Sequence, residues 1–586
     1  MAESLFSPGV QQREQDNTFL PPASIEGGAA FIGPTVKGPV ENPTVVSSYA
    51  EYQTLFGTTF ESGSNKEEFL TSVAVRNYFQ QGGTAALVTR VVSGSFTAAS
   101  NTFISASAKA STQPFELATI GEGSLLNNAT SALHPADVSA SVSYINSDGS
   151  LKSGSVENFR WEISNINNTE GTFTLSIRRG DDSNNNKVIL EQFAGVSLDP
   201  NSPDYIESRV GNQSTTVVTE GSDTYVRKDG DYANKSRYVR VSAVNLRTLN
   251  YLDNDGVTVK EDSAGVSYSG SLPVAQSGSF YNATGDVAAG SDSYFDNIGT
   301  ETQGLVGDNY TTAINILNNV DDYRFKMIAA PGLNYADHPS QVDALISIAE
   351  DRGDAIAIVD LVRKGTTLAS VIENASSINS SYAATYWPWL QTRSSTGRNE
   401  YVPASTLIPG VLAFTDSSSA PWFAPAGFTR GGLPTAIQAE RALKTSQRND
   451  LYTNNVNPIA TFPEAGLVVY GQKTLFKKNS ALDRVNVRRL LIELKEFIGN
   501  QARNLVFDQN SITTRNNFLS VVNPYLESVV QRQGLFAFEV TVDETNNTAD
   551  VIDRQQLVGK ITLQPTRIAE YIILDYSLEP TGATFG

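Results

Sequence analysis

The sequence contains no cysteine and only two histidines, His134 and His338. The first absence excludes disulfides, thiol catalysis and cysteine–zinc sites. The second removes most of the side chain that proteins use for proton transfer near neutral pH and for metal ligation. Together they argue against an enzyme and against a cofactor, leaving only carboxylate chemistry open. No run of about 18 apolar residues capable of spanning a bilayer occurs. The opening "MAESLFSPGV" has neither the basic nor the apolar stretch of a signal peptide. The expectation is a soluble protein that folds in a cytoplasm, without direct membrane insertion. Basic charge is short as well: 43 Lys and Arg stand against 62 Asp and Glu, a net charge of −19. Nucleic-acid binders usually carry a basic face that neutralises phosphates, so nucleic acid is not an expected partner.

What is present is enough apolar material for several packed cores. Hydrophobic residues make up 40% of the 586, including 23 Tyr and 27 Phe, and the length predicts about four domains. The charge is unevenly spread. Residues 94–311 hold 26 acidic and 14 basic side chains, whereas residues 465–515 hold nine basic and four acidic ones. The bland reading of the second stretch is one polar helix face; the sharper one is a docking surface.

Texture changes along the chain mark its organisation. "SPGVQQREQDNTFLPP" has little periodicity and reads as an arm. "AAFIG" predicts a strand, and "SNKEEFLTSVAVRNYFQQGG" a helix with capping-box spacing from Ser64 to Glu67 and a stop at Gly82 and Gly83. "ALVTRVV" completes a β-α-β unit. Residues 94–311 then turn rich in Ser, Thr, Asn and Gly, with short alternating runs such as "FRWEISNINNTEGTFTLSIRRG" that predict hairpins. From about 312, "KMIAAPG", "SQVDALISIAEDRG" and "AIAIVDLV" predict a second β-α-β unit in the same sheet as the first. Val487, Leu490, Leu491, Leu494, Phe497 and Ile498 form a helical stripe, with Arg488, Arg489, Glu493, Lys495 and Glu496 off it. "PYLESVVQRQG" predicts a shorter helix opened by Pro524 and closed at Gly534. Two strands are predicted after it, "GKITLQP" and the segment beginning "AEYIILDYSLEP". In the latter, Ile572, Leu574, Tyr576 and Leu578 alternate with Asp575, Ser577 and Glu579.

Motifs for catalysis are weak. "GLVVYGQKT" lacks the Lys directly after the second Gly that a phosphate-wrapping loop needs, and "LVVY" reads as strand interior. "YLDNDGVTVKED" places Tyr251 where a calcium loop needs its first ligand, so a turn is expected. No G-x-S-x-G elbow exists, and the Arg-Gly-Asp triplets at Arg179 and Arg352 read as turns.

An ordered series of stretches resembles the tail sheath proteins of bacteriophages with contractile tails. The series runs "SPGV", "AAFIGPTVKGPVENPTVVSSYAEYQTLFG", "YFQQGGTAALVTRVV", "VILEQFAGVSLDPNSPDYIESRVG", "MIAAPG" with "RGDAIAIVDL", "YAATYWPWLQ", "VPASTLIPGVLAFTD", "PWFAPAG", "NNVNPIATF", "GLVVYGQKTL" and "VNVRRLLIELKEF". Departures concentrate in 94–311. The resemblance implies a multidomain α+β and α/β fold: a discontinuous α/β core, inserted β-rich domains and terminal arms that exchange strands between subunits. The corresponding divisions are an arm at 1–22, core at 23–93, inserted outer domains at 94–311, core again at 312–480, a tube-proximal domain at 481–568 and a terminal strand at 569–586.

It also implies a non-enzymatic structural subunit, a virion component assembled in the host cytoplasm. Such a subunit polymerises around a tube and contracts without consuming nucleotide. Its expected partners are further copies of itself, the inner tail tube protein, and baseplate and tail terminator proteins. Phe6 and Val10 in the first arm, and Ile572, Leu574, Tyr576 and Leu578 in the last, would lie in intersubunit strands. Lys473, Lys477, Lys478, Arg488, Arg489 and Lys495 would face the tube. The sheath of a headless contractile injection particle fits the same pattern. A carboxylate-based virion hydrolase and a surface adhesin are the readings from other classes.

Overall fold

The computed structural model describes residues 25–26, 28–62, 65–101, 114–128, 146, 148–221, 223–286 and 301–574. Its architecture is mixed α/β, in several packed units around an eight-stranded sheet. Six strands of that sheet are parallel. They are, in spatial order, Asn457–Phe462, Ala383–Trp387, Ile356–Asp360, Met327–Asn334, Ala29–Gly33 and Ala86–Arg90. Gly466–Val469 and Thr44–Val46 close the two edges, each antiparallel to its neighbour.

The parallel strands are apolar on both faces because helices cover both. Along Ala29–Gly33, Ala29 and Phe31 pack in one layer with the Leu70–Gln80 and Ile408–Ser418 helices. Ala30 and Ile32 pack in the other, with the Pro339–Arg352 and Leu368–Ser377 helices. The first of these, Pro339–Arg352, begins with Pro at its first position and ends on Gly353 at φ 69°, the left-handed conformation that glycine adopts without cost. Met327 pairs with Ala29 on one side and Ile356 on the other, so the two β-α-β units, the first ending at Arg90, meet along one strand.

Within the first unit the helix starts later than its sequence predicts. Asn65–Glu68 form a strand antiparallel to Thr59–Ser62, and the helix begins at Leu70 with Phe69 at its N-cap and no side-chain cap. Ser64 lies outside the described residues. Glu67 and Glu68 are buried and committed elsewhere: Glu67 accepts from Arg398 at 3.1 Å, and Glu68 from Ser72 at 2.7 Å and Arg76 at 3.2 Å. The Leu70 N–H donates instead to Gln303 Oε1 at 2.7 Å.

The stretch 94–311 forms a seven-stranded antiparallel sheet with its own core around Trp161, whose indole N–H donates to the Ser279 carbonyl at 3.1 Å. The hairpin predicted from "FRWEISNINNTEGTFTLSIRRG" pairs Phe159–Asn167 with Thr172–Arg179. Buried Arg160 and Arg178 share the buried Asp182 carboxylate at 3.2 and 2.7 Å. Leu305 and Tyr310 are buried in the second core layer, just ahead of the Thr311–Ile316 helix.

Residues Val485–Arg503 and Ile512–Gln531 form two long helices packed on the hairpin Leu535–Thr541/Lys560–Pro565. Pro524, expected to open a helix, lies inside the second one. Buried Val522 and Leu526 hold the helix on either side of it, and that packing outweighs the lost backbone bond.

Asp360, at the end of the Ile356–Asp360 strand, is buried and accepts the Ser405 N–H at 3.1 Å and the Ser405 hydroxyl. Burial pushes its carboxyl up from 3.8 to about 7 against both hydrogen bonds. The folded chain therefore holds a proton there that the unfolded chain releases near pH 4. Stability from this group is fully present below about pH 4 and is lost as pH rises through 7, by roughly 4 kcal/mol at most. Asp360→Asn removes this slope. In urea unfolding the variant gains stability relative to wild type between pH 5 and pH 8; parallel profiles would refute the assignment.

Candidate functional site: the terminal segment and the basic surface

The Val485–Arg503 helix is buried on two sides. Val485 and Ile492 enter the core layer of the large sheet, while Leu490 and Leu494 enter the cluster shared with the Ile512–Gln531 helix. Arg488 and Arg489 belong to this buried surface, at 4% and 3% exposed. The expectation that they face a partner is therefore corrected. Arg488 Nε donates to the Ser381 carbonyl at 3.2 Å and Nη2 to the Ser381 hydroxyl, with the guanidinium 3.9 Å from the Tyr382 ring centre. Arg489 Nη2 donates to both Asp416 oxygens, at 2.6 and 2.5 Å. Glu493 accepts from Lys326 at 2.7 Å, so the charges off the apolar stripe dock the helix on the core. Burial opposes the Lys326 charge, but Glu493 and Glu496 together outweigh it and raise its pKa.

The remaining basic residues fall in two places. Lys477 and Lys478 are exposed and, with half-buried Lys473, line a cavity of about 550 Å³. Lys477 Nζ donates to the Ser376 carbonyl. Lys473 Nζ stands 4.6 Å from the Tyr452 ring centre, and burial, then neighbouring Arg484, pushes its pKa down. Lys495 lines a different cavity, of about 650 Å³, beside Lys326, Glu496 and Arg503, and donates to the Tyr382 hydroxyl at 3.0 Å. The structure thus brings three of the six predicted residues together.

Phe6, Val10, Tyr576 and Leu578 lie outside the described residues. Ile572 and Leu574 are described, and they lie in no strand of the isolated chain. Tyr571, Ile572, Ile573 and Leu574 are 78, 79, 84 and 68% exposed, four large apolar side chains in a row without cover. Directly before them Glu570 is gripped by Arg484, whose Nε and Nη2 donate to the two carboxylate oxygens at 2.7 and 2.9 Å. Sequence reasoning missed this pair because 86 residues separate its members and neither belongs to a motif. "GLVVYGQKT" opens as the edge strand Gly466–Val469, and among the described residues no cluster of three metal-ligating side chains occurs. No helix among them is long and apolar enough to cross a membrane.

These placements give opposite expectations for two charge changes. Arg489→Met strands the Asp416 carboxylate and lowers unfolding free energy by about 3 kcal/mol. The double change Lys477→Glu, Lys478→Glu stays within about 0.5 kcal/mol of wild type, as for exposed charges. Urea denaturation of the three proteins checks both; equal losses would contradict the burial pattern.

Residues 303–475 match the phage tail sheath protein central domain, and residues 477–579 match the phage tail sheath C-terminal domain. The tail sheath protein of Vibrio phage KVP40 is 38% identical over 188 residues, 32% of this chain and 28% of that protein. That of Enterobacteria phage T4 is 35% identical over 230 residues, 39% of this chain and 35% of that protein. The aligned part thus spans about a third of the length of these curated relatives. The crystal structure of the sheath tail protein Lin1278 from Listeria innocua overlays at a TM-score of 0.49 and 10% identity, covering 92% of this chain and 95% of that one. Over residues 303–475 and 477–579 the chain is thus similar to the two domains of the phage tail sheath family.

Proposed function

We propose that the chain is a structural subunit of a contractile phage tail sheath, which polymerises around a tail tube and drives it by rearranging from an extended to a better-packed lattice. The family matches over 303–579 support the reading. The observation that carries it to assembly is the exposed run Tyr571–Ile572–Ile573–Leu574. Such a run is costly to leave in water and is complementary to an open sheet edge, where backbone bonds join chains and alternate side chains fix register. The Leu535–Thr541/Lys560–Pro565 hairpin is a two-stranded sheet and offers an edge of this kind on a neighbouring copy. At about 1 kcal/mol net per hydrogen bond, one such joint is worth only several kcal/mol. Repetition through a tube makes the lattice hold while each joint can still turn.

Deletion of 569–586 leaves a folded, soluble monomer that no longer forms long tubes, as read by sedimentation and negative-stain imaging. Normal tubes from the truncated chain would remove the intersubunit role, and an insoluble product would assign the segment to its own core.

The basic cavity is the proposed tube-facing surface, now carried by Lys473, Lys477 and Lys478. Its contacts with an acidic tube would be exposed ion pairs of about 0–1 kcal/mol each, weak enough to release on contraction. Lys477→Glu with Lys478→Glu is expected to self-assemble but not to form extended sheath on tubes. Loss of self-assembly in that variant would place these charges in the sheath lattice instead.

A further inference from the structure

Between the Lys560–Pro565 strand and the exposed apolar run, residues 566–574 lie in no helix or strand. The Thr566 N–H makes a last backbone contact with the Gly534 carbonyl at 3.3 Å. Beyond it, the chain is fixed chiefly through the side chain of Glu570. Its Oε1 accepts from Arg484 Nε at 2.7 Å and Gln472 Nε2 at 3.2 Å, and its Oε2 from Arg484 Nη2 at 2.9 Å. Arg484 is itself held, by Asp483 at 2.9 Å and by backbone bridging to Lys473. It is also the N-cap of the Val485–Arg503 helix, so the pair ties the segment to the residue that opens that helix. Burial alone would raise the Glu570 pKa, yet its Arg484 and Gln472 donors hold it below the usual range. The pair is largely shielded, at 26% and 17% side-chain exposure. The very next residue, Tyr571, is 78% exposed. A boundary between held and unheld chain therefore falls at one ion pair.

We propose that Glu570 and Arg484 form a clasp that sets where and in which direction the terminal segment leaves the body, as positioning residues for its capture by a second copy of this chain. This rests on the intersubunit reading of the segment given above. With the clasp closed, the free segment starts at Tyr571. With it open, the free segment starts after Thr566 and includes residues 567–570 as well. Ordering one additional residue on capture costs about a factor of ten in affinity, and the end of a longer tether is found less often at the acceptor.

Glu570→Gln keeps the shape and removes the charge. Two measurements on the full chain test the clasp separately from its role. The first is limited trypsin digestion below the concentration at which assembly begins, following the cut after Arg567 by mass spectrometry. The variant is expected to be cut there at least about tenfold faster, with cleavage after exposed Arg554 unchanged as the internal control. The second is the critical concentration for self-assembly, expected to rise by about tenfold or more, with Glu570→Asp recovering part of the loss. Equal cutting after Arg567 in both proteins would overturn the clasp. Faster cutting with unchanged assembly would overturn the positioning role, whereas the intersubunit reading itself stands or falls with the 569–586 deletion. A global loss of fold in Glu570→Gln, seen as faster cutting after Arg554 too, would make the pair a core contact and overturn the proposal.

Discussion

The rest of the molecule depends on one strand pairing, Met327–Asn334 alongside Ala29–Gly33. It joins two β-α-β units, the first ending at Arg90 and the second beginning at Met327, and the large sheet is continuous only because of it. A loop that long costs little more to close than one half its length, since closure entropy grows with the logarithm of length. That is why a complete antiparallel domain can sit between the two halves. Polar contacts tie the halves together as well. The Asn77 side chain donates to the Leu407 carbonyl at 2.9 Å and accepts from the Thr435 hydroxyl at 2.6 Å. At the insertion's root, buried Arg90 donates to the Gly38 and Glu122 carbonyls, each at 2.7 Å. Burial lowers its pKa to about 10, yet the guanidinium stays charged at neutral pH. Lys37 reaches the Glu157 carboxylate at 2.9 Å beside it. The insertion is thus anchored to the core by these buried polar contacts as well as by apolar ones, with Leu125 packed on one core layer and Val217 and Val226 on the other.

The parts legible in sequence were those whose physics is local. "AAFIG", "MIAA" and "AIAIVD" read as strands covered on both faces, because apolar side chains fill both parities of the pleat. The hairpins of the insertion read from their alternation and polar turns. What escaped is set by partners far along the chain. Glu67 and Glu68 look like the first turn of a helix, but remote Arg398 and nearby Arg76 hold them in a strand. Pro524 looks like a helix start, but apolar neighbours carry the helix through it.

The candidate site shows the same division. A helix buried on one side would have left Arg488 and Arg489 in solvent, and the apolar stripe alone describes such a helix. This one is covered on two sides, and the arginines fall in the second contact, where they donate to Ser381 and Asp416. The stripe shows that a helix is buried; it does not show how many neighbours it has. Lys477 and Lys478, in the stretch before the helix, kept the exposure their sequence implied.

The terminal segment carries a constraint that period-two reading understates. Ile572 and Leu574 would share one face of an extended strand, but Tyr571 and Ile573 make the other face apolar too. A sheet edge with one wet face would satisfy only half of it. On the proposed function, the acceptor must cover both faces. The Leu535–Thr541/Lys560–Pro565 hairpin has one face packed against its own helices, through Phe538, Val540, Ile561 and Leu563. At the irregularity between Leu535 and Ala537, Phe536 stays 78% exposed. A captured segment would bury one of its faces with the packed set, while the second would still require apolar cover. The geometry of capture therefore calls for a third surface in addition to donor and hairpin. A lattice, in which each copy has several neighbours, can supply that surface; an isolated pair of chains offers only the donor and the hairpin.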